Sequence, residues 1–407
     1  MFRGLFSAMS ALSDAGSKAS KFRTILINWS IALASTIISY FIIEAFFFRV
    51  FFPMADASVR PHLPETPGVL AQSTKASFVP RDYVAILGDS MAEGLGDALL
   101  AAGQNEARAF HAAHVIRELT GKDVVSFGRG GSSSAEGLVR QPARILAGSR
   151  CLIFPTIQEP SRIIAYFYEG NDIQDNLAFA AKVAQKLGRS DDQAVDQFLA
   201  DEYAIFASWR CHLYLFDIAS RMSRFFYKYY YVGVDPYQHG FVPGGSGLLV
   251  GGRTIDAPAP LDGPAIEISD ADIRKGIMVF DRSLAWLKAR FPQVPITVAY
   301  VPTALSIYHL TGYRYRYSIE PRDDGKSDWT TAAQITRNSE LICNLVRDAS
   351  ARLKVGFLDT RPALREAASK ELLHGPMDWV HFNAQGYQAL GQALAGRIDL
   401  AGVDGCH

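Results

Sequence analysis

The chain has 407 residues, is 49% hydrophobic and 20% charged, and balances 41 basic against 41 acidic side chains for a formal net charge of zero. A chain of this length buries a large core, as one large or two medium domains. The charge balance argues against nucleic acid as a partner, and no internal period supports a solenoid.

Residues 1–23 carry Arg3, Lys18, Lys21 and Arg23 and read as a cytoplasmic N-terminal segment ahead of an anchor at 24–52. Within that anchor Thr24–Phe48 is a stretch of 25 residues whose single charged side chain is Glu44. A helix of that length reaches about 37 Å, enough to cross the roughly 30 Å hydrocarbon core with some tilt. The basic residues before it outnumber Arg49 and Arg60 after it. The expected arrangement is therefore a single pass through the inner membrane, with the lipid bilayer as partner of residues 24–52 and the main domain extracytoplasmic or periplasmic. Glu44 is expected at the outer end, reaching the interface or Arg49. Two competing readings are a buried core helix and a signal peptide cleaved near Ala55-Asp56-Ala57. Pro53, Pro61, Pro64, Pro67 and Pro80 mark residues 53–80 as an extended linker holding the domain off the membrane.

Residues 81–407 alternate short apolar runs with helical patterns. The runs YVAIL (83–87), DVVSF (123–127), RIIAYFY (162–168), PITVAYV (295–301) and VGFLD (355–359) are apolar nearly throughout, as strands buried on both faces must be. Helical patterns at 98–119, 135–146, 268–291 and 336–353 lie between them, so the expected fold class is α/β, a layered domain with a central parallel sheet. Residues 177–270 break the rhythm and read as an insertion of helices followed by a long Gly/Pro-rich loop. Its aromatic run FFYKYYY (225–231) suits a sugar-stacking platform, an interfacial belt or a cap on the core. Cys151, Cys211, Cys343 and Cys406 have no C-x-x-C spacing, which disfavours zinc and leaves disulfides or simple burial open.

In an open parallel sheet, functional groups gather beyond the carboxyl ends of the strands. Directly after three of the expected strands stand Gly88-Asp89-Ser90, Gly128-Arg129-Gly130-Gly131 and Gly170-Asn171-Asp172. These supply a hydroxyl, a glycine turn that lets backbone N–H groups approach closely, and a side-chain amide donor. Acyl transfer needs this set together with a base. The base is His381, three residues after Asp378 in MDWVHFNAQGYQAL, a spacing that lets the carboxylate orient the imidazole.

With GDS at 88–90, FGRGG at 127–131, EGND at 169–172 and DWVH at 378–381, the chain resembles the SGNH, or GDSL-type, hydrolase superfamily. The resemblance runs from about Tyr83 to Ile398. It implies a three-layer α/β/α flavodoxin-like sandwich and the triad Ser90, His381 and Asp378. It also implies an oxyanion hole from the Ser90 backbone N–H, Asn171 and Gly131, the last a choice among neighbouring glycines. Met91 and Glu169 depart from the family pattern, the latter standing where the G-x-N-D form has its first glycine.

The chemistry expected is a membrane-anchored serine esterase forming an acyl-enzyme on Ser90. The resemblance and the compartment point to an acylated small-molecule or polysaccharide substrate, foremost an O-acetyl ester of an envelope or exported glycan. An O-acetyltransferase would need a membrane acyltransferase partner to deliver the acyl group. A lipid esterase and a noncatalytic glycan-binding scaffold are the other readings. No cofactor or catalytic metal is called for.

Overall fold

The computed structural model describes residues 2–51, 74, 79–96, 111–148, 156–207, 214–226, 242–318, 327–376, 378–398 and 402–407. Five strands, β1 (Val84–Leu87), β2 (Val124–Ser126), β3 (Arg162–Tyr168), β4 (Ile296–Val301) and β5 (Gly356–Asp359), coincide with the five apolar runs of the sequence. They form one parallel sheet in the order β5-β4-β3-β1-β2.

The principal helices are, in chain order, α1 (Phe2–Phe46), α2 (Ser90–Glu93), α3 (Ala112–Thr120), α4 (Asp172–Leu187), α5 (Asp192–Ala207), α6 (Tyr214–Phe226), α7 (Asp270–Arg290), α8 (Ala332–Arg352), α9 (Arg361–Ala368) and α10 (Ala384–Ala395). Alternate strand residues feed two separate cores. Ala85, Leu87, Ile163, Ala165, Phe167 and Val298 pack with α7 and α8, whereas Val84, Ile86, Ile164, Tyr166, Ala299 and Val301 pack with α3, α9 and α10. The strands are apolar throughout because both faces are covered, and the result is the expected α/β/α sandwich. From β1 the chain crosses to β2 on one side and then to β3 on the other. That reversal opens a crevice between the loops that follow β1 and β3.

The insertion differs from expectation. Its Gly/Pro-rich run is not a long loop: Val242–Val250 and Arg253–Ala259 form an antiparallel hairpin, extended by His309–Leu310. The cause is the Gly251-Gly252 turn, in which both residues have positive φ (58° and 76°), the geometry that a two-residue hairpin turn requires. Most of the aromatic run 225–231 and most of the linker 53–80 lie outside the described residues, as do Cys151 and Cys211. From that linker Thr74 is buried on β2, where its Oγ1 accepts from the Val124 N–H at 2.6 Å.

Among the described residues one helix is long and apolar enough to cross a membrane, over the 28 residues Arg23–Val50. Its C-terminal end packs on the domain. Phe48 is fully buried in the core that includes the sheet, edge-on to Tyr214 with ring centroids 5.5 Å apart. Glu44 is buried, and its Oε1 accepts the Tyr214 N–H at the start of α6. A carboxylate there meets one of the unpaired amides and the positive end of that helix.

The last residues run beside β5, with Phe357 N–H donating to Gly402 O at 3.0 Å and Asp404 N–H to Phe357 O at 3.0 Å. A Cys343–Cys406 disulfide closes a 63-residue separation and ties this tail to α8. By loop-closure entropy such a link is worth about 4 kcal/mol. Replacing Cys406 with Ser is expected to lower the unfolding free energy by about that much, measured by urea titration against the oxidised wild type.

Candidate active site

Ser90 opens α2, a four-residue helix directly after β1. Asp89 caps it, its Oδ1 accepting from Met91 N–H at 3.0 Å, while Ser90 Oγ donates a long hydrogen bond of 3.4 Å to Asp89 Oδ2. The cap holds the serine at the first helical position, so its backbone N–H is not consumed by the helix ladder.

The FGRGG loop after β2 is latched onto this helix. Gly130 N–H donates to Glu93 Oε2, Ser126 Oγ donates to Ala92 O, and Arg129 N–H donates to Gly88 O at 3.3 Å. The approach is close enough to require glycine at 128, where a Cβ would stand 2.2 Å from Glu93 N. At 130 a Cβ would lie 3.7 Å from the Cβ of Ser90, whereas at 131 it would meet no atom within 4 Å. Gly131, with φ of 67°, therefore faces open space beside the serine loop, and the amide of Gly130 is already committed to Glu93.

After β3 the chain turns at Glu169-Gly170-Asn171, a turn closed by Tyr168 N–H donating to Asp172 Oδ2 at 2.9 Å. Asn171 sits at the start of α4; its Nδ2 donates to Asp175 Oδ2 at 3.0 Å and its buried Oδ1 has no partner. One Nδ2 hydrogen remains for a ligand. Glu169, the departure from the family pattern, is fully buried and accepts from Tyr300 OH, Thr303 N–H (2.8 Å), Thr303 Oγ1 (3.0 Å) and Ser339 Oγ (2.7 Å). Arg361 joins the same network through Ser339 Oγ at 3.0 Å and pairs bidentately with Asp359. A charge on this turn is tolerated because four donors replace the water it lost.

Asp378 and His381 form a buried pair. The imidazole Nδ1 lies 2.6 Å from Asp378 Oδ2, and Asp378 Oδ1 accepts from the Val380 and His381 N–H groups at 2.9 and 3.1 Å. This network assigns the proton to Nδ1 and leaves Nε2 as the unprotonated ring nitrogen. Burial alone would raise the Asp378 pKa; the charge and hydrogen bonds of His381 overturn it and hold the carboxyl well below the usual range. The pair meets the serine loop at Gly96, where a Cβ would stand 2.3 Å from Phe382 O and 3.3 Å from the Cβ of His381. Tyr387, on α10, completes the junction by donating to Leu95 O at 2.6 Å, with Met91 Sδ 4.0 Å from the same hydroxyl. Met91 is thus a buried packing residue beneath the serine.

Burial pushes the carboxyl of Asp89 up, against the Met91 amide bond and the favourable charge of His381. Asp172 is pushed further, by burial and then by the Asp89 carboxylate. The charge of His381 acts to lower the pKa of both Asp89 and Asp378 and outweighs burial only at Asp378. No group of three or more His, Cys, Asp or Glu among the described residues could hold a metal ion.

The structure places Ser90, Gly131 and Asn171 after β1, β2 and β3, and joins Asp378 to His381. Ser90 Oγ has its hydrogen bond with Asp89 Oδ2. Sequence reading missed the Glu93 latch, the Tyr387 brace and the Glu169 network. Glu93, three residues after Ser90, carries a faint signal as a charge inside an otherwise small and apolar stretch. Tyr387 and the partners of Glu169 are too distant in sequence to carry one.

No family model and no curated protein matches the chain. Solved structures similar to it include an extracellular lipase from Streptomyces rimosus, which covers 77% of this chain and 98% of its own at 13% identity and a TM-score of 0.39. A phospholipase A1 from Streptomyces albidoflavus covers 79% and 100% at 12% identity and a TM-score of 0.38. A carbohydrate acetylesterase family member from Sinorhizobium meliloti covers 79% and 99% at 12% identity and a TM-score of 0.31. Similarity of this order transfers no residue roles or substrates to this chain.

His374, beside the pair, carries the clearest pH signature. Burial, with the His381 charge and against that of Asp378, pushes its pKa down to about 3. Its Nδ1 lies 3.1 Å from Tyr308 OH and its Nε2 is buried without a partner. The unfolded chain takes a proton there near pH 6.5 and the folded chain does not, so stability falls as pH drops below about 6.5, by about 1.4 kcal/mol per unit. Urea unfolding between about pH 7 and about pH 5 should cost wild type about 2 kcal/mol more than His374→Gln.

Proposed function

We propose that the protein is a membrane-anchored serine esterase of SGNH type that forms an acyl-enzyme on Ser90. The observation that carries this reading is the buried Asp378–His381 pair, 2.6 Å apart, braced against the loop that presents Ser90. His381 Nε2 takes the Ser90 proton as Oγ attacks the ester carbonyl, and Asp378 stabilises the imidazolium. The oxyanion is received by the N–H groups of Ser90 and Gly131 and by Asn171 Nδ2. Collapse expels the alcohol, which receives the proton from His381. Water, deprotonated by His381, then attacks the acyl-enzyme and releases the acid.

α1 supports membrane anchoring, and the Cys343–Cys406 disulfide supports an oxidising compartment outside the cytoplasm. Compartment and family resemblance together favour an O-acetyl ester of an envelope or exported glycan as substrate. Transfer to a second glycan in place of water would make the same acyl-enzyme an acetyltransferase.

Hydrolysis of p-nitrophenyl acetate should fall by about a thousandfold or more in Ser90→Ala, with loss of fluorophosphonate labelling. Retained activity in well-folded Ser90→Ala would overturn the assignment. Asn171→Ala should lower kcat by about a hundredfold with little change in KM, because the lost donor acts on the oxyanion and not on the ground state.

A further inference from the structure

The outer end of α1 is held by the domain from within the apolar stretch itself. Tyr40 OH accepts the Phe216 N–H at 3.3 Å, and Glu44 Oε1, one helical turn further on, accepts the Tyr214 N–H. These are amides of the first turn of α6, which have no partner inside that helix. Phe48, one turn beyond Glu44, is sealed into the core against Tyr214. The contact thus runs from Tyr40 in α1 to Phe48, just beyond its end.

Depth follows from length. The 28 residues Arg23–Val50 extend about 42 Å as a helix, against about 30 Å of hydrocarbon. Whether the hydrocarbon begins at Arg23 or is centred on the segment, its outer boundary falls near Glu44 and Tyr40 lies inside it. A backbone amide bonded to Tyr40 is therefore at the level of the outer leaflet. Phe216, which owns that amide, leaves its ring 75% exposed, although the flanking Tyr214 and Ile218 are buried in the core. A phenyl ring so placed loses free energy in water and gains it in the acyl-chain boundary, where aromatic residues collect.

We propose that the first turn of α6 is seated in the outer leaflet, with Phe216 in contact with lipid, so that the domain rests directly on the bilayer and is not held away from it by a linker. This rests on the membrane-anchored reading of α1. Glu44 then has a structural explanation: a carboxylate near the hydrocarbon boundary is tolerated because a helix N-terminus meets it there.

The test uses the full chain in phosphatidylcholine vesicles, with its native cysteines kept oxidised and the unsubstituted chain as labelling control. An environment-sensitive fluorophore is attached at Phe216→Cys, at Ile38→Cys in the apolar stretch (58% exposed) and at Tyr313→Cys on the domain (89% exposed). Lipids with a doxyl group near the headgroup should quench the probe at 216 and at 38, while aqueous iodide should quench it several-fold less at 216 than at 313. If 38 is quenched by lipid while 216 behaves like 313, the seating of α6 is wrong and the anchor stands. If 38 is itself open to iodide, the anchor fails and the seating with it. A probe at 216 shielded from both quenchers marks a protein occupant, such as a second copy, and also overturns the proposal.

Discussion

The candidate site depends on one constraint, the close approach of two distant segments to the loop that carries α2. The β2 loop reaches Glu93 at a distance that leaves no room for a side chain at Gly128, and the C-terminal segment reaches Gly96 in the same way. Hydrogen bonds from Gly130, Ser126 and Tyr387 lock that approach. Ser90, the FGRGG loop and His381, from segments nearly 300 residues apart, are thereby held by backbone, which is stiffer than side chains. Preorganisation of this kind is what acyl-transfer chemistry demands, because the donors must stand ready where charge develops.

Electrostatics follows from the same burial. Four carboxylates (Asp89, Glu169, Asp172 and Asp378) lie within or beside the loops, and each is buried. Their environments separate them. Asp378 is held ionised by His381, and Glu169 accepts from four donors, while burial pushes Asp89 and Asp172 toward the protonated form. Of the four, only Asp89 and Asp378 feel the charge of His381, and only Asp378 bonds its ring.

The far side of the domain is organised by different contacts. Phe48 and Glu44 join α1 to α6 and the sheet core, and the Cys343–Cys406 link joins the chain terminus to α8. The Glu44–Phe48 segment and the Cys406 tail are therefore fixed to the same layer, the one built on α7 and α8, while α10 and the His381 segment lie on the other.

Much of this was legible in the text of the chain. Five apolar runs became five strands with boundaries within a residue or so, because a strand buried on both faces has no polar alternation to obscure it. The blocks at Ser90, Gly131 and Asn171 were visible because each is local and follows a strand, and Asp378–His381 because the pair is only three residues apart. The hairpin at Gly251-Gly252 was missed although its turn is local, since the surrounding glycines and prolines outweighed it. By itself the sequence determined the layered α/β fold, the residue types available for acyl transfer and one apolar helix of membrane-spanning length. Only the tertiary structure decided what Glu44, Met91 and Glu169 do, since a lone charge or thioether takes its meaning from donors and rings that lie far along the chain. Burial sets the cost of such a group, and its partners are assembled only when distant segments meet.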